Sequence, residues 1–288
     1  MSRFDYFPSA SLFVLRMPSL LHEAIKAKIV RDIESQLLSI SNGVNPASAF
    51  AKSIEHGGSA SINLSDPEYG RHEPDALFRH RQAQFPGVIL EISYTQKRRD
   101  LGRVAEDYIL GSSGNIRVVV GIDIDYKGKS ATLSIWQPRL QVNKAGEEEL
   151  VAHQTLSNQV RSHLFYLTHT YISKEFRKEN GEVNSTTGLR LRLEDFAPPS
   201  LSMQTKFGTD IFISSTSLCA YLHDAEQDEK YVKQELGYAE TLKSGVRKRR
   251  RSSSSIEQLN TDDEAQFQQD EQRAAKRSQC ADRDFGRG

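Results

Sequence analysis

The sequence predicts an α/β domain with a mixed central sheet flanked by helices and a C-terminal tail that stays disordered. Three observations predict it. A long run near the N-terminus carries apolar residues at helical spacing. Residues 87–125 read strand, helix, strand. From about Ser244 onward large apolar residues almost vanish.

Taken in order, residues 11–17 are short, apolar and β-prone, and Pro18 breaks them. Residues 20–40 place Leu21, Ile25, Ile29, Ile33 and Leu37 on one helical face, with Ser19 as N-cap and Ser41-Asn42-Gly43 as the stop. A weaker helix is expected over 46–55, closed by Gly57-Gly58. Strands are expected over 59–64, 75–80, 87–94 and 116–125. The last is apolar on nearly both sides, as a central strand is. Between the last two, residues 98–110 carry Leu101, Val104, Ala105, Tyr108 and Ile109 at helical spacing, which makes a crossover unit. Tyr126-Lys127-Gly128-Lys129 reads as a turn into a strand over 130–136. Past Pro138 the pattern weakens. Strands are expected over 150–154 and 189–196, a break at Pro198-Pro199, and a helix over 214–243. Residues 160–173 read as an insertion, because the flanks Q-T-L-S-N-Q-V and F-R-K-E-N-G would join into one hairpin. The organisation is thus a domain over 1–225, a helical extension over 226–243 and a tail over 244–288.

Composition excludes several classes. The chain of 288 residues has 38 basic and 38 acidic side chains, so no global positive field exists to coat nucleic acid; one local basic patch remains compatible. No apolar run is long enough for a membrane helix, and the start lacks the basic and apolar regions of a secretory signal. The two cysteines, Cys219 and Cys280, support neither a disulfide framework nor zinc-ligand spacing, so cytosol or nucleus is expected. His153, His163 and His169 match no standard ligand set.

The chemistry is concentrated in His72-Glu73-Pro74-Asp75-Ala76-Leu77 and, sixteen positions after the aspartate, Glu91-Ile92-Ser93. A carboxylate within the apolar strand around Glu91 is costly to bury unless it is paired or binds a metal. Strand alternation turns Glu91 away from Leu90 and Ile92, so it can meet Asp75 at the mouth of a neighbouring strand. Two hard oxygen ligands placed so, in a pocket open to solvent, would hold Mg²⁺ or Mn²⁺, which activates water and stabilises charge at a phosphate.

The order of a first helix, E-P-D-A-L-F, V-I-L-E-I-S, a helix with Arg and Tyr, and a further strand resembles the PD-(D/E)xK restriction-endonuclease-like nucleases over roughly residues 15–136. The resemblance implies that Asp75 and Glu91 bind the divalent metal, with an acidic residue of the first helix, here Glu23, assisting. It also places a lysine where this chain has Ser93; Gln96 and Lys97 are the nearby substitutes, and Lys97 is the candidate for polarising the attacking water or the phosphate. The corresponding ordinary readings are a turn residue for Asp75, a salt-bridged glutamate for Glu91, a helix-dipole partner for Glu23 and a solvated lysine for Lys97.

Arg79, Arg81, Arg98, Arg99 and Arg103 lie near these acids in sequence and could engage phosphates without reading bases; the competing reading is a solvated charged face. Arg247-Lys248-Arg249-Arg250-Arg251 reads as a nuclear-localisation or nucleic-acid patch, with four serines beside it whose phosphorylation would cancel its charge. Three functions follow: a metal-dependent nuclease, an inactive nucleic-acid-binding module of the same fold, or an interaction scaffold. The partners expected are DNA or RNA, a second copy of the chain and an import receptor at the basic tail, with no membrane.

Overall fold

A computed structural model describes residues 3–8, 11–64, 66–95, 101–125, 127–155, 174–185, 188–202, 207–234, 238–240 and 242–247. The chain divides into a unit over 1–237 and a second over 238–288. In the second, only the short stretches from Tyr238 onward are described, so most of the basic tail lies outside the described residues, as does the insertion expected at 160–173 in the first unit.

The first unit is α/β, with a mixed sheet between helices. Its strands run β10-β9-β8-β7-β6-β3, where β3 is Ile54–His56, β6 is Ala76–His80, β7 is Val88–Thr95, β8 is Val118–Asp125, β9 is Ala131–Val142 and β10 is Glu148–Thr155. Only β7 and β8 pair in parallel, and α3 (Leu101–Gly111) connects them, as a parallel pair requires. Alternate residues of these two strands feed two cores. On one face Leu90, Ile92, Val120 and Ile122 meet α1 (Leu20–Ser41) and α5 (Ser215–Lys233). On the other, Ile89, Val119 and Trp136 meet Val104, Tyr108 and Ile109 of α3. Each of these apolar side chains contributes about 1.5–3 kcal/mol by leaving water, which is why both strands read apolar throughout.

The N-cap of α1 forms as expected: Ser19 Oγ accepts from the His22 amide at 3.2 Å. Other boundaries differ. α2 covers only Pro46–Ala51, and the chain then forms β3 instead of continuing as helix. The strand expected over 59–64 shrinks to β4 (Ile62–Asn63). β9 runs through Pro138, because beyond Trp136 its only partner is β10, and an unpaired edge tolerates a proline. β12 (Gly188–Arg192) gives way to a 3₁₀ turn at Leu193–Phe196 and pairs with β13 (Asp210–Ser214). α4 (Pro199–Ser202) is a single turn, and α5 stops at Lys233, ten residues short of the expected end.

Thr155 at the end of β10 stands opposite Ile135, and Lys174 at the start of β11 (Lys174–Arg177) stands opposite Leu133, so β10 and β11 succeed each other along the same edge of β9.

A smaller sheet has the order β2-β1-β5-β4, with β1 at Arg3–Phe7, β2 at Leu12–Arg16 and β5 at Arg71–His72. β1 was not legible in the sequence. Its inward face mixes charge and bulk: Asp5 is 1% and Phe7 6% exposed, whereas Tyr6 between them is 42% exposed. β2 leaves Phe13 and Leu15 in water and turns Val14 and Arg16 in. This hairpin carries Asp5 and Arg16 inward together with Phe7 and Val14, which pack in the α3-side core.

Candidate functional site

Asp75 ends the loop entering β6, and Glu91 lies in the middle of β7 on the face turned toward α3. Both are 1% exposed. They converge. Arg16 Nη1 donates to Asp75 Oδ1 at 3.2 Å and to Glu91 Oε2 at 3.3 Å. Its second terminal nitrogen, Nη2, donates to Asp5 Oδ1 at 3.0 Å and to the Glu73 carbonyl. Three buried carboxylates thus surround one guanidinium, whose fork of donors suits them.

The remaining oxygens are also served. Asp75 Oδ2 accepts from the Ile92 amide at 2.6 Å and lies 3.0 Å from His22 Nε2. Glu91 Oε1 accepts from the Tyr108 hydroxyl of α3 at 2.8 Å. Asp5 lies 3.3 Å from His72 Nδ1, and His72 Nε2 lies 2.9 Å from the Tyr69 carbonyl and 3.4 Å from Asp107. Glu73 is turned elsewhere, accepting from the Phe4 amide and the Ser61 hydroxyl at 3.1 Å each.

Burial by itself would raise the Asp75 carboxyl, but the His22 ring, the Arg16 guanidinium and the Ile92 amide hold it well below the usual carboxylate range. Burial disfavours the His72 cation, yet hydrogen bonds to Asp107 and Asp5 and their charge push its pKa up to about 9. Burial, then the Glu91 charge, drives the Tyr108 phenol well above its ordinary value, so it stays a donor to Glu91.

The two acids therefore meet, but in a closed site and around a side chain, where an open pocket was expected. Glu23 of α1 pairs with Lys26 and lies 3.4 Å from His22 Nδ1, and His22 Nε2 in turn reaches Asp75 at 3.0 Å. Ser93, where the sequence resemblance would place a lysine, is buried beside Glu91 on the same strand face, and its hydroxyl has no hydrogen-bond partner among the described residues. Gln96, Lys97, Arg98 and Arg99 lie outside the described residues. Arg79 and Arg81 do not flank the acids. Arg79 lies near the far end of β6 and points to the Ala83 carbonyl, and Arg81, in the turn after that strand, pairs with Glu55 at 2.8 Å. Arg103 of α3 lies 4.1 Å from the centre of the Phe7 ring. Arg247 is exposed, and Lys248, Arg249, Arg250 and Arg251 lie outside the described residues.

Sequence reasoning missed Asp5, Arg16, His22 and Tyr108, and named His72 only as part of the run around Asp75. Tyr108 was read only as an apolar position of α3. Asp5 and Arg16 are charges in otherwise apolar or aromatic strands, as Glu91 is, but only the folded hairpin brings them to Asp75 and Glu91.

Among the described residues no group of three or more His, Cys, Asp or Glu side chains is arranged to hold a metal ion. Asp75 and Glu91 alone fit a different habit. Both already bind one cationic nitrogen between them, and Mg²⁺ is commonly held by one or two carboxylates with waters completing its shell. No helix among the described residues is long and apolar enough to cross a membrane. A scan of protein-family models, a search of curated proteins and a search of solved structures each found no match.

Proposed function

We propose that this chain is a metal-dependent hydrolase of nucleic-acid phosphodiester bonds, with a restriction-endonuclease-like fold. The observation that carries the reading is the meeting of Asp75 and Glu91 at a single cationic nitrogen, at 3.2 and 3.3 Å. Two carboxylates buried at such cost and aimed at one point are what a shared divalent cation needs. Asp75 and Glu91 would hold Mg²⁺ or Mn²⁺, which supplies an activated water and charge stabilisation at the phosphate. Tyr108 and the Ile92 amide hold the two carboxylates in place. Lys97 or Gln96, just past β7, would supply the donor that the family places at Ser93.

Nucleic acid as the substrate finds support on the outer face of the hairpin. Phe4 and Phe13 are stacked with ring centres 5.2 Å apart, and the Arg71 guanidinium lies 5.2 Å from the centre of Phe4. Phe13 is 59% exposed, so an unpaired base can stack there. The basic run from Arg247 adds a nuclear-import or phosphate-binding segment.

Ser93 favours a second reading: a module of the same fold that keeps nucleic-acid contact and has lost catalysis. One experiment separates the two. The full chain is incubated with single- and double-stranded DNA and RNA in Mg²⁺, Mn²⁺ or EDTA, beside Glu91→Ala and Lys97→Ala. Metal-dependent cleavage abolished by Glu91→Ala supports the hydrolase, and a loss of about 10²–10⁴-fold in Lys97→Ala supports that lysine as its proton-transfer group. Binding without cleavage supports the module, and neither binding nor cleavage removes both readings.

A further inference from the structure

We propose that Arg16 is an internal stand-in for the cation, and that the β1–β2 hairpin is an autoinhibitory plug which a divalent metal must displace. This rests on the metal reading of Asp75 and Glu91.

The geometry points to it in four ways. Arg16 Nη1 occupies the position between Asp75 Oδ1 and Glu91 Oε2 that a shared ion would take, so guanidinium and metal exclude each other. The plug is held at its edge. β2 ends the small sheet and pairs only with β1, and it enters α1 through Met17, which is 84% exposed. Leu12, Phe13 and Leu15 are exposed, so the apolar contacts that the hairpin gives up when it leaves are chiefly those of Phe7 and Val14. The arginine ties β2 to β1 through Asp5 and to the main sheet through Asp75 and Glu91, so the guanidinium is the link that a metal would break.

An independent sign is Ser93. Its hydroxyl is buried in a residue only 2% exposed, lies on the Glu91 side of β7 and has no hydrogen-bond partner among the described residues. A buried donor left without a partner is a defect of the closed state. A hydrated cation brings water that such a hydroxyl can bond, so the open, loaded state repairs what the plugged state leaves undone.

In this scheme apparent metal affinity equals the intrinsic affinity multiplied by the fraction of chains with the hairpin withdrawn. The test uses the full chain, with no substrate and no turnover. Mn²⁺ is titrated by calorimetry into wild type and Arg16→Gln, and amide hydrogen exchange of wild type is followed with and without Mn²⁺. We expect at least about tenfold tighter Mn²⁺ binding in Arg16→Gln, as when the competent state is a tenth or less of the population. We also expect Mn²⁺ to speed exchange of the Phe13–Arg16 amides in wild type while β7 to β9 stay protected. Removing a positive charge could tighten binding without any motion, so the exchange result is decisive. Mn²⁺ binding with unchanged hairpin exchange overturns the plug and leaves the metal reading standing. No Mn²⁺ binding by either protein overturns both. If Arg16→Gln does not fold, the wild-type exchange alone decides in the same way.

Discussion

Tyr108 illustrates how the site is held at the level of single side chains. Its hydroxyl is the donor to Glu91 Oε1 at 2.8 Å, and its ring is wholly buried against the Ile89 side of the sheet. Tyr108→Phe keeps the ring and strips the donor, leaving a buried carboxylate oxygen short of a partner. It should lower unfolding free energy by about 1–3 kcal/mol in urea titration; a variant as stable as wild type would mean that Glu91 finds another donor. His72 makes the cluster sensitive to pH. Its folded-state pKa is raised from 6.5 to about 9 by Asp107 and Asp5, against the effect of burial. A raised value means that the stabilisation is fully present below about 6.5 and is lost as pH climbs through about 9. Wild type should therefore lose more stability than His72→Gln between pH 6 and 9.5, read as the shift of the urea midpoint. Parallel losses would show that the imidazolium contributes nothing.

At the level of elements, the cap of α1 positions more than a helix. Ser19 fixes the first turn, and that turn places His22 3.0 Å from Asp75. Ser19→Ala should cost about 1 kcal/mol in thermal or urea unfolding, with the effect absent if water serves the His22 amide equally well. α1, β7, α3 and β8 were legible in the sequence because burial imposes its period on them: Ile25, Ile29 and Ile33 recur every fourth residue, and Val118 to Val120 are buried on both faces of the sheet. β1 was not legible, because Asp5 takes the inward position that an apolar residue ordinarily holds, and five residues give no other signal. The shortened α2 and the early end of α5 have a local cause. After Ala51 the next core contact, Ile54, is made from β3 paired with His80, and beyond Ala225 the buried residue of α5 is Glu229, so apolar packing does not compel more helix at either end.

Across the whole first unit, the main sheet supplies one half of the site and the small sheet the other. Asp75 and Glu91 could be found in sequence because carboxylates beside Leu77, Leu90 and Ile92 need a reason to be buried. Arg16 could not, since its partners are 59 and 75 residues away and only the folded hairpin brings them together. The acids are therefore a property of local pattern, and their closure by Arg16 is a property of topology. The most direct measurement is the stoichiometry of Mn²⁺ binding, by calorimetry or by the electron paramagnetic resonance signal of free Mn²⁺, in the full chain beside Asp75→Asn and Glu91→Gln. Binding of a single ion by wild type that is lost in both variants is the predicted result. Binding that survives both substitutions, or no binding in any of the three proteins, would contradict it.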